Sequence, residues 1–205
     1  MSPRTVQVPA SRLARWISGF DERHGGATQT IVDGRLRLDG EDAAVATLAP
    51  PFPIQPHDAT EFVSLVSSVP RTGVILIRRG GFAAAIVEGS TVVASDVGKR
   101  HVQGRTAAGG WSQQRFARRR DKQVHELVEA AVAYVARVIL PGLPVDYLAT
   151  GGDRPLVDAV LEDPRLRSLL AIARGPHLDV PDPRRDTVEA LTERLSTVSI
   201  ELIDP

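Results

Sequence analysis

Hydrophobic and polar positions along the chain change their period several times, which predicts a mixed α/β protein. The first helix is indicated by apolar residues three and four positions apart: Leu13, Trp16, Ile17 and Phe20. We expect this helix to start behind a Ser11 N-cap and to stop near Gly25-Gly26. This pattern predicts a short amphipathic helix near the start of the chain.

The segment that follows has the alternation of a small antiparallel meander. Strands are expected over residues 28–33, 35–38 and 43–48, with hairpin turns at Asp33-Gly34 and Asp39-Gly40. Four prolines over residues 50–56 then predict a stiff, extended connection. We therefore expect an N-terminal helix and meander over 1–56, followed by a second domain over 57–205.

The second domain has the pattern of a mixed sheet with flanking helices. A helix over 57–68 is followed by three expected strands at 73–77, 82–87 and 91–95. The first two are almost continuously apolar, which favours central strands covered on both faces. The further expected elements are a helix of about 28 residues, or about 40 Å, ending at Ile139, a strand at 145–149, a helix at 153–162, a short strand near 168–173, a helix at 184–196 and a strand at 197–203.

Composition excludes several kinds of chemistry. The 205 residues contain no cysteine, so a disulfide framework, a thiolate zinc site and a cysteine nucleophile are ruled out, and a cytoplasmic protein is favoured. The first eight residues lack the apolar core of a signal peptide. No apolar run approaches the roughly 18 residues that a membrane-spanning helix needs, so we expect a soluble protein.

Charge is balanced over the whole chain but concentrated in one segment. The formal net charge is zero, yet residues 99–122 contain a single acid, Asp121, among eight basic residues. The basic residues are Lys99, Arg100, Arg105, Arg115, Arg118, Arg119, Arg120 and Lys122. On charge alone, the segment fits a solvated helix face as well as a surface for phosphates.

Familiar catalytic motifs are absent or incomplete. Residues 110–114 start like the G-x-S-x-G elbow of hydrolases, but Gln114 replaces the closing glycine, which argues against a serine nucleophile. There is no phosphate-binding loop of the G-x-x-x-x-G-K-[ST] form. The five histidines are scattered without an i, i+4 pair, so we expect neither a metal nor another cofactor. Prolines around Asp179, Asp182 and Asp186 favour a loop and a helix N-cap over paired catalytic carboxylates.

The segment AGGWSQQRFARRR, residues 108–120, combines flexible backbone with dense positive charge. Gly109-Gly110 allows backbone amides to approach a ligand closely, and a helix starting at Ser112 would favour an anion at its N-terminal N–H groups. Guanidinium groups in the following turns bind phosphate oxygens in bidentate fashion: Arg115, Arg118 and Arg119. This combination suits an RNA backbone.

Glutamine adds a neutral side chain that both donates and accepts hydrogen bonds. Such an amide orients a water or a hydroxyl against an electrophile without acting as a base. The residues alone equally fit a glycine-rich loop that caps a basic helix, with Gln113 and Gln114 as ordinary surface residues.

The same segment resembles a known family. Residues 109–120 are similar to the GGQSxxRFARxR segment in the middle domain of class I peptide-chain release factors of eukaryotes and archaea, with Trp111 where those factors carry their catalytic glutamine. Gly110-Trp-Ser-Gln113 instead fits the G-x-x-Q loop of release-factor-like peptidyl-tRNA hydrolases of ribosome-associated quality control. Residues 80–93 resemble the preceding G-x-F-A-x-A-I-x-x-G-x-x-V-V segment of that family, and the composition resembles its actinobacterial branch.

The resemblance implies a fold, a substrate and a set of site residues. It implies a central α/β domain related to the ribonuclease-H-like fold, which releases nascent chains from peptidyl-tRNA on the large ribosomal subunit. Gln113 would be the positioning residue, with Gln114 as a second catalytic candidate. The implied loop is Gly109, Gly110, Trp111 and Ser112, and the implied RNA-binding residues are Arg105, Arg115, Arg118, Arg119, Arg120 and Lys122.

Two reactions are compatible with such a site. The glutamine would align either a water on the ester carbonyl or a ribose hydroxyl against a phosphodiester near the tRNA 3′ end. A non-catalytic factor that binds the ribosome or another RNA is the alternative. A site that must enter the mouth of the ribosomal tunnel favours a monomer.

Overall fold

The computed structural model describes residues 3–100 and 112–205, and for residues 112–117 it describes the backbone alone. The described chain divides into two compact units. One consists of Met1–Pro70 together with Leu191–Pro205, and the other of Arg71–Ala190. Within the described residues, no helix has the length and apolar content that a membrane span requires.

The first unit is an antiparallel sheet with helices. Its strands are β1 (Arg4–Pro9), β2 (Ala27–Val32), β3 (Arg35–Gly40), β4 (Val45–Ala49) and β10 (Thr197–Ile203), and its helices are α1 (Leu13–Arg23) and α2 (Ala59–Ser67). The strand order is β1-β10-β4-β3-β2, and every pairing is antiparallel. The last strand of the chain therefore lies between the first strand and the meander.

Alternation along the strands explains the core of this unit. Val198, Ile200 and Leu202 on β10 are buried at every second position, and they pack with apolar residues of β3 and β4. Helix α1 adds side chains from one face: Leu13, Ile17 and Phe20. Helix α2 adds Phe62 and Val66 to the same core.

Turn chemistry confirms one hairpin prediction and corrects another. Asp33 and Gly34 have φ angles of 51° and 73°, as a tight hairpin turn requires, and they join β2 to β3. Gly40, by contrast, is the last residue of β3, and the turn is formed by the residues after it, with Ala43 at φ 70°. A Cβ at Gly40 would lie 2.8 Å from the Cβ of His24, so close packing explains this glycine.

One further expectation for this unit is wrong, and one strand was missed. Ser11 does not cap α1, because a 3₁₀ turn (Ala10–Arg12) precedes the helix and its N-cap, Arg12, makes no side-chain cap hydrogen bond. Strand β1 was not expected, although Val6 and Val8 alternate. It pairs with β10, about 190 positions later in sequence, and sequence periodicity says nothing of such a partner.

The second unit has a mixed sheet covered by helices. Its strands are β5 (Thr72–Arg78), β6 (Gly81–Glu88), β7 (Thr91–Gly98), β8 (Tyr147–Gly152) and β9 (Ala173–Arg174), and its helices are α3 (Ser112–Val138), α4 (Arg154–Leu161) and the start of α5 (Arg185–Leu195). Short 3₁₀ helices occupy Leu140–Gly142 and Pro164–Ala171. The second of these replaces most of the strand expected near 168–173; only Ala173 and Arg174 pair with β8.

The strand order β7-β6-β5-β8-β9 confirms the expected fold class. Strand β5 is antiparallel to β6 and parallel to β8, and β8 is parallel to β9. In chain order this is 3-2-1-4-5, with β6 antiparallel to both of its neighbours. Helices α3 and α4 contact each other and pack on this sheet.

Burial confirms that β5 and β6 are central strands. On one face Ile75, Ile77 and Phe82 join the core beneath α3 and α4. The intervening residues Val74 and Leu76 are also buried. Both faces of these strands are therefore covered, as their continuous apolar sequence predicts.

The compact units divide the chain differently from the expected boundary at residue 56. Helix α2 and strand β10 were expected in the second domain, but their apolar side chains belong to the core of the first unit. The prolines over 50–56 form an extended connection within that unit, without helix or strand. The prolines predicted the connection. Pairing of β10 with β1 and β4 explains why the C-terminal segment belongs to the first unit.

Candidate RNA-binding and catalytic site on helix α3

The C-terminal half of α3 is anchored in the core of the second unit. Its fully buried side chains are Leu127, Ala131, Val132 and Val135, with Ile139 directly after the helix. Four-residue spacing places Leu127, Ala131, Val135 and Ile139 along one stripe, with Val132 beside it, and the stripe faces β6, β7 and α4. Packing of this stripe fixes the direction of the whole helix.

Aromatic and ionic contacts add to this anchor near the end of the helix. The ring of Tyr134 meets Phe82 of β6 edge to face, with centroids 4.8 Å apart and planes at 87°. The guanidinium of Arg137 lies 4.3 Å from the centre of the Tyr134 ring and also pairs with Asp96 of β7. Side chains from two strands thus hold the last turns.

A second ionic cluster ties the middle of α3 to the 3₁₀ helix Pro164–Ala171. Arg165 donates to Glu129 of α3 at 3.0 Å and to Asp163 at 2.8 Å. Asp163 also caps the 3₁₀ helix by accepting from the backbone N–H of Arg165 at 2.9 Å. These hydrogen bonds from Arg165 lower the pKa of Asp163 to about 2, so this carboxylate is charged near neutral pH.

The N-terminal half of α3 has a different character. From residue 118 to residue 126 no side chain is fully buried; Arg118, Arg119 and Lys122 are exposed. Arg120 is half-buried, and it lies four and seven residues before Val124 and Leu127, in register with the buried stripe. Arg118, Arg119 and Lys122 therefore lie on the solvent-exposed side of α3.

These cations have few acidic neighbours. Within the described residues Arg118, Arg119 and Arg120 form no ion pair, and Lys122 reaches Glu126 at 3.9 Å, one turn further along. An exposed pair at that separation neutralises the lysine weakly. The guanidinium groups of Arg118 and Arg119 remain available to an outside anion.

The arrangement works against the stability of the free helix. The first turn of α3 contains no acidic residue, although acids are favoured at the positive end of the helix dipole. Arg118 and Lys122 are four residues apart, and Arg119 and Lys122 are three apart, so like charges are neighbours on one face. A bound phosphate would reduce this repulsion.

The structure covers part of the expected site. Ser112 is the first residue of α3, as expected, and the backbone of Gln113, Gln114 and Arg115 belongs to its first turns. The predicted loop residues Gly109, Gly110 and Trp111, together with Arg105, lie outside the described residues. The glutamines are therefore carried by the same rigid helix as the exposed arginines, one to two turns before them.

Other titratable groups have structural partners. Asp179 accepts from Arg78 at 2.6 Å, and the hydroxyl of Thr187 donates to the carbonyl of Asp182 at 3.3 Å, just before α5 begins. Asp179 and Asp182 therefore lie in a loop, as expected, whereas Asp186 lies in the first turn of α5. His177 contacts the carbonyl of Gly152 at 2.8 Å. In the described part of the chain, no three His, Cys, Asp or Glu side chains are grouped as metal ligands.

Sequence reasoning missed the residues that hold the helix in place. Glu129, Asp163 and Arg165 form one cluster, and Asp96 and Arg137 another, across separations of up to 41 positions. The only sequence signal was Asp163 followed by Pro164, which is typical of an N-cap and first helical position. Long-range ion pairs leave no local pattern.

Comparison with known proteins gives a family. The model of the family described as Actinobacteria/chloroflexi VLRF1 release factor matches residues 70–201, more than half of the chain. No curated protein matches the chain significantly. Among solved structures, the archaeal translation termination factor aRF1 is similar over 94% of this chain and 64% of that chain, with 16% identity and a TM-score of 0.43. A structure described as an archaeal protein is similar over 93% of this chain and 64% of its own length, with 17% identity and a TM-score of 0.33. This chain thus spans less than two thirds of either.

Proposed function

The chain belongs to the Actinobacteria/chloroflexi VLRF1 release factor family, and from that premise we propose that it frees stalled nascent chains from peptidyl-tRNA on the large ribosomal subunit. Membership makes it a release-factor-like, ribosome-associated protein of translation. The substrate, the role of the glutamine loop and the reaction are proposed in addition to this membership. In it, the protein acts as a cytoplasmic monomer without a metal or another cofactor.

One observation supports the proposal most directly. Exposed arginines without an ion pair in the described structure, Arg118 and Arg119, follow the glutamines at the start of a helix that is anchored at its other end. Arginine forks bind phosphate oxygens in bidentate fashion, so this face suits the backbone of tRNA or ribosomal RNA. In this proposal, Arg105, Arg115, Arg120 and Lys122 extend the same contact.

Gln113 supplies orientation in this mechanism. Its amide is neutral across the physiological pH range and offers an acceptor and two donors, so it can hold an attacking oxygen in line with its electrophile. Gln114 lies beside it in sequence as the second candidate. In this proposal, Gly109, Gly110 and Trp111 lead into Ser112, the first residue of α3, and bring the amide to the tRNA terminus. Holding a reactant in the attacking geometry removes much of the entropic barrier without a proton-transfer group.

Two reactions fit this role and differ in the bond that breaks. In the first, a water adds to the ester carbonyl, the ester C–O bond breaks, and the tRNA leaves with its terminal hydroxyl restored. In the second, a ribose hydroxyl attacks the neighbouring phosphodiester, the bond from phosphorus to the next 5′ oxygen breaks, and the peptide leaves with a few nucleotides attached. The first product is an intact tRNA, whereas the second is a shortened tRNA with a cyclic phosphate end.

A release assay with analysis of the tRNA end tests the proposal. Wild-type protein is added to purified large subunits that carry peptidyl-tRNA, and the freed peptide and the tRNA 3′ end are both measured. We expect peptide release, with the length of the tRNA identifying the reaction. Absence of release by the wild-type protein under conditions where it binds these subunits would favour the non-catalytic binding factor.

The matched variants are Gln113→Ala and Gln29→Ala. Gln29 is an exposed glutamine on β2, far from the proposed site in sequence. We expect Gln113→Ala to lose at least about a hundredfold in release rate, by analogy with the loss of one positioning or oxyanion donor, and Gln29→Ala to behave as wild type. Equal release by Gln113→Ala and wild type would remove the catalytic assignment.

A further inference from the structure

A second basic surface lies on the first unit, away from the segment 99–122 in sequence. A groove of about 370 Å³ runs between α1 and β1. Its charged lining consists of Arg12, Arg15 and Arg23, and its largest apolar side chain is Trp16. No aspartate or glutamate is among the described residues that line it. The first unit therefore carries a groove with one sign of charge.

Helical geometry brings these side chains into one stripe. Relative to Arg12, the positions of Arg15, Trp16, Gly19 and Arg23 are three, four, seven and eleven residues further on, which is the spacing of a single helix face. The core side chains of α1 occupy a different face. From Arg12 to Arg23 the stripe is about 16 Å long at the usual helical rise, enough to follow several phosphates of one nucleic-acid strand.

The arginines are free of acidic partners within the described structure. Arg12 and Arg15 are exposed and form no ion pair there, whereas Arg4 and Arg37 on the same unit pair with Asp204 and Asp39. The Nε of Arg23 donates to the carbonyl of Gly19 at 2.7 Å, which holds that side chain back along the helix beside the glycine. An outside anion therefore meets guanidinium groups whose charge is not already compensated.

Gly19 and Trp16 point to a ligand more specific than a diffuse counter-ion. A Cβ at Gly19 would meet no atom within 4 Å, so packing does not require glycine at this position inside α1. Glycine weakens a helix interior relative to alanine, and one remaining use is close approach of a ligand to the backbone. Trp16 is half-buried and stacks on Phe20, with ring centroids 5.7 Å apart, so it presents an ordered aromatic surface to the groove.

We propose that this groove binds a single-stranded RNA segment, with Arg12, Arg15 and Arg23 on phosphates and Trp16 against a base. Arginine and an aromatic side chain in one open groove are the elements by which proteins hold single strands without reading sequence. An acidic peptide would use the arginines but has no need of the tryptophan. The inference concerns the first unit alone and goes beyond the proposed release reaction.

Fluorescence anisotropy with a labelled oligouridylate of about twelve nucleotides tests the groove. Arg12→Gln/Arg15→Gln is compared with Arg4→Gln/Arg35→Gln, which removes the same charge from the same unit outside the groove. We expect the groove variant to bind at least about tenfold more weakly, with a salt slope shallower by about 1.4, since each lost contact to a single strand removes about 0.7. The control pair should stay within about twofold of wild type.

The measurement is repeated in the Arg118→Gln/Arg119→Gln background, so that RNA held by α3 is separated from RNA held by the groove. The groove variant should lose affinity in both backgrounds. Equal binding by the groove and control pairs in either background would overturn the inference. Tighter binding of a polyglutamate peptide than of the RNA, lost in the groove variant, would also overturn it, because the occupant would then be an acidic protein segment.

Gly19 provides variants that preserve folding. Gly19→Glu places a carboxylate in open space among the arginines and improves helix propensity, so we expect a higher Tm together with weaker RNA binding. Gly19→Ala should also raise Tm, and it should weaken RNA binding less than Gly19→Glu does, because it adds a methyl group at the ligand-facing backbone but no negative charge. RNA binding by Gly19→Glu equal to that of Gly19→Ala would contradict the placement of RNA in this groove.

Discussion

The two halves of helix α3 follow opposite rules. From Leu127 to Ile139 apolar side chains are buried at helical spacing, and the charged residues Glu129 and Arg137 have partners on neighbouring elements. From Ser112 to Glu126 the described side chains are exposed or half-buried, the first turn contains no acidic residue, and Arg118 to Arg120 follow two turns later. One continuous helix thus joins a C-terminal half whose side chains stabilise the fold to an N-terminal half whose side chains do not.

Folding stability therefore explains the side chains of the C-terminal half of α3, but it does not explain those of the N-terminal half. Burial, aromatic contact and ion pairing account for every notable side chain in the C-terminal half. None of them accounts for Arg118 and Arg119, which form no ion pair within the described residues and lie three or four residues from Lys122. Departures from local stability rules are common at functional sites, which supports the proposal that a partner binds this half of the helix.

The largest expected effect comes from breaking the anchored half. Leu127→Ala removes a fully buried side chain beneath the sheet, and we expect a loss of about 2–5 kcal/mol in the free energy of unfolding. Urea denaturation measures it. Leu170, which is 55% exposed, provides the control, since Leu170→Ala should change stability by less than about 0.5 kcal/mol. Similar losses in both variants would mean that α3 is not anchored at Leu127.

Removing the arginines of the other half should affect binding instead. We expect Arg118→Gln/Arg119→Gln to bind large subunits at least about tenfold more weakly, equivalent to about 1.4 kcal/mol, and to reduce the salt slope. Co-sedimentation at several salt concentrations measures it. Arg167 and Arg174 are exposed arginines of the same unit, and Arg167→Gln/Arg174→Gln is the matched control. A salt response identical to wild type would exclude Arg118 and Arg119 as phosphate ligands.

The ion cluster of Asp163 gives a pH-dependent effect on the anchored half. We expect Asp163→Ala to cost about 1 kcal/mol near neutral pH, the usual size of a lost N-cap, and Asp163→Asn to cost less because asparagine still caps. The pKa of Asp163 in the folded protein is about 2, below its ordinary 3.8. The folded state therefore binds fewer protons in this window, and stability gained from the charge is present above pH 3.8 and lost as pH falls through 2.

Unfolding curves of wild type and Asp163→Asn between neutral and strongly acid pH measure this contribution. The difference between the two proteins should shrink as pH falls from about 4 to about 2. A difference that stays constant over that range would mean that the carboxylate charge does not stabilise the fold.

The smallest expected effect has the opposite sign and sharpens the contrast. Arg118→Gln/Arg119→Gln relieves repulsion with Lys122 and should stabilise the fold by a few tenths of a kcal/mol, since each like-charge pair on a helix costs about 0.2–0.5 kcal/mol. Thermal unfolding at low salt is the measurement, with high salt as the control because screening should erase the gain. A loss of stability at low salt would show that these arginines contribute to folding.

Sequence reasoning succeeded where local pattern dominates. The stripe from Val124 to Ile139 predicted α3 within a few residues, and the apolar runs predicted β5 and β6 as central strands. The final strand was predicted at its observed bounds, Thr197–Ile203, but not its partners. Pairing of β10 between β1 and β4 depends on side-chain complementarity across the whole chain, which no local period encodes.

The residue types of the candidate site could be predicted from the sequence, but the exposure and contacts of its side chains could not. Charge density and glycines indicated the segment 99–122, and the resemblance implied the substrate that we propose. Exposure of Arg118 and Arg119, half-burial of Arg120 and the pairing of Lys122 with Glu126 depend on which face of α3 the sheet occupies. The basic groove beside α1 was missed because its three arginines are spread over twelve residues and interleaved with core positions.

In this proposal, Arg118 and Arg119 bind the ribosome and Gln113 promotes release, so the two functions are separable. A paired measurement of binding and release tests that separation. Binding to large subunits carrying peptidyl-tRNA and single-turnover release at saturating protein are measured for Gln113→Ala and for Arg118→Gln/Arg119→Gln. We expect Gln113→Ala to bind as wild type without releasing the peptide, and the arginine variant to bind weakly but release at the wild-type rate once saturated. Loss of the same quantity in both variants, or normal release by Gln113→Ala, would contradict it.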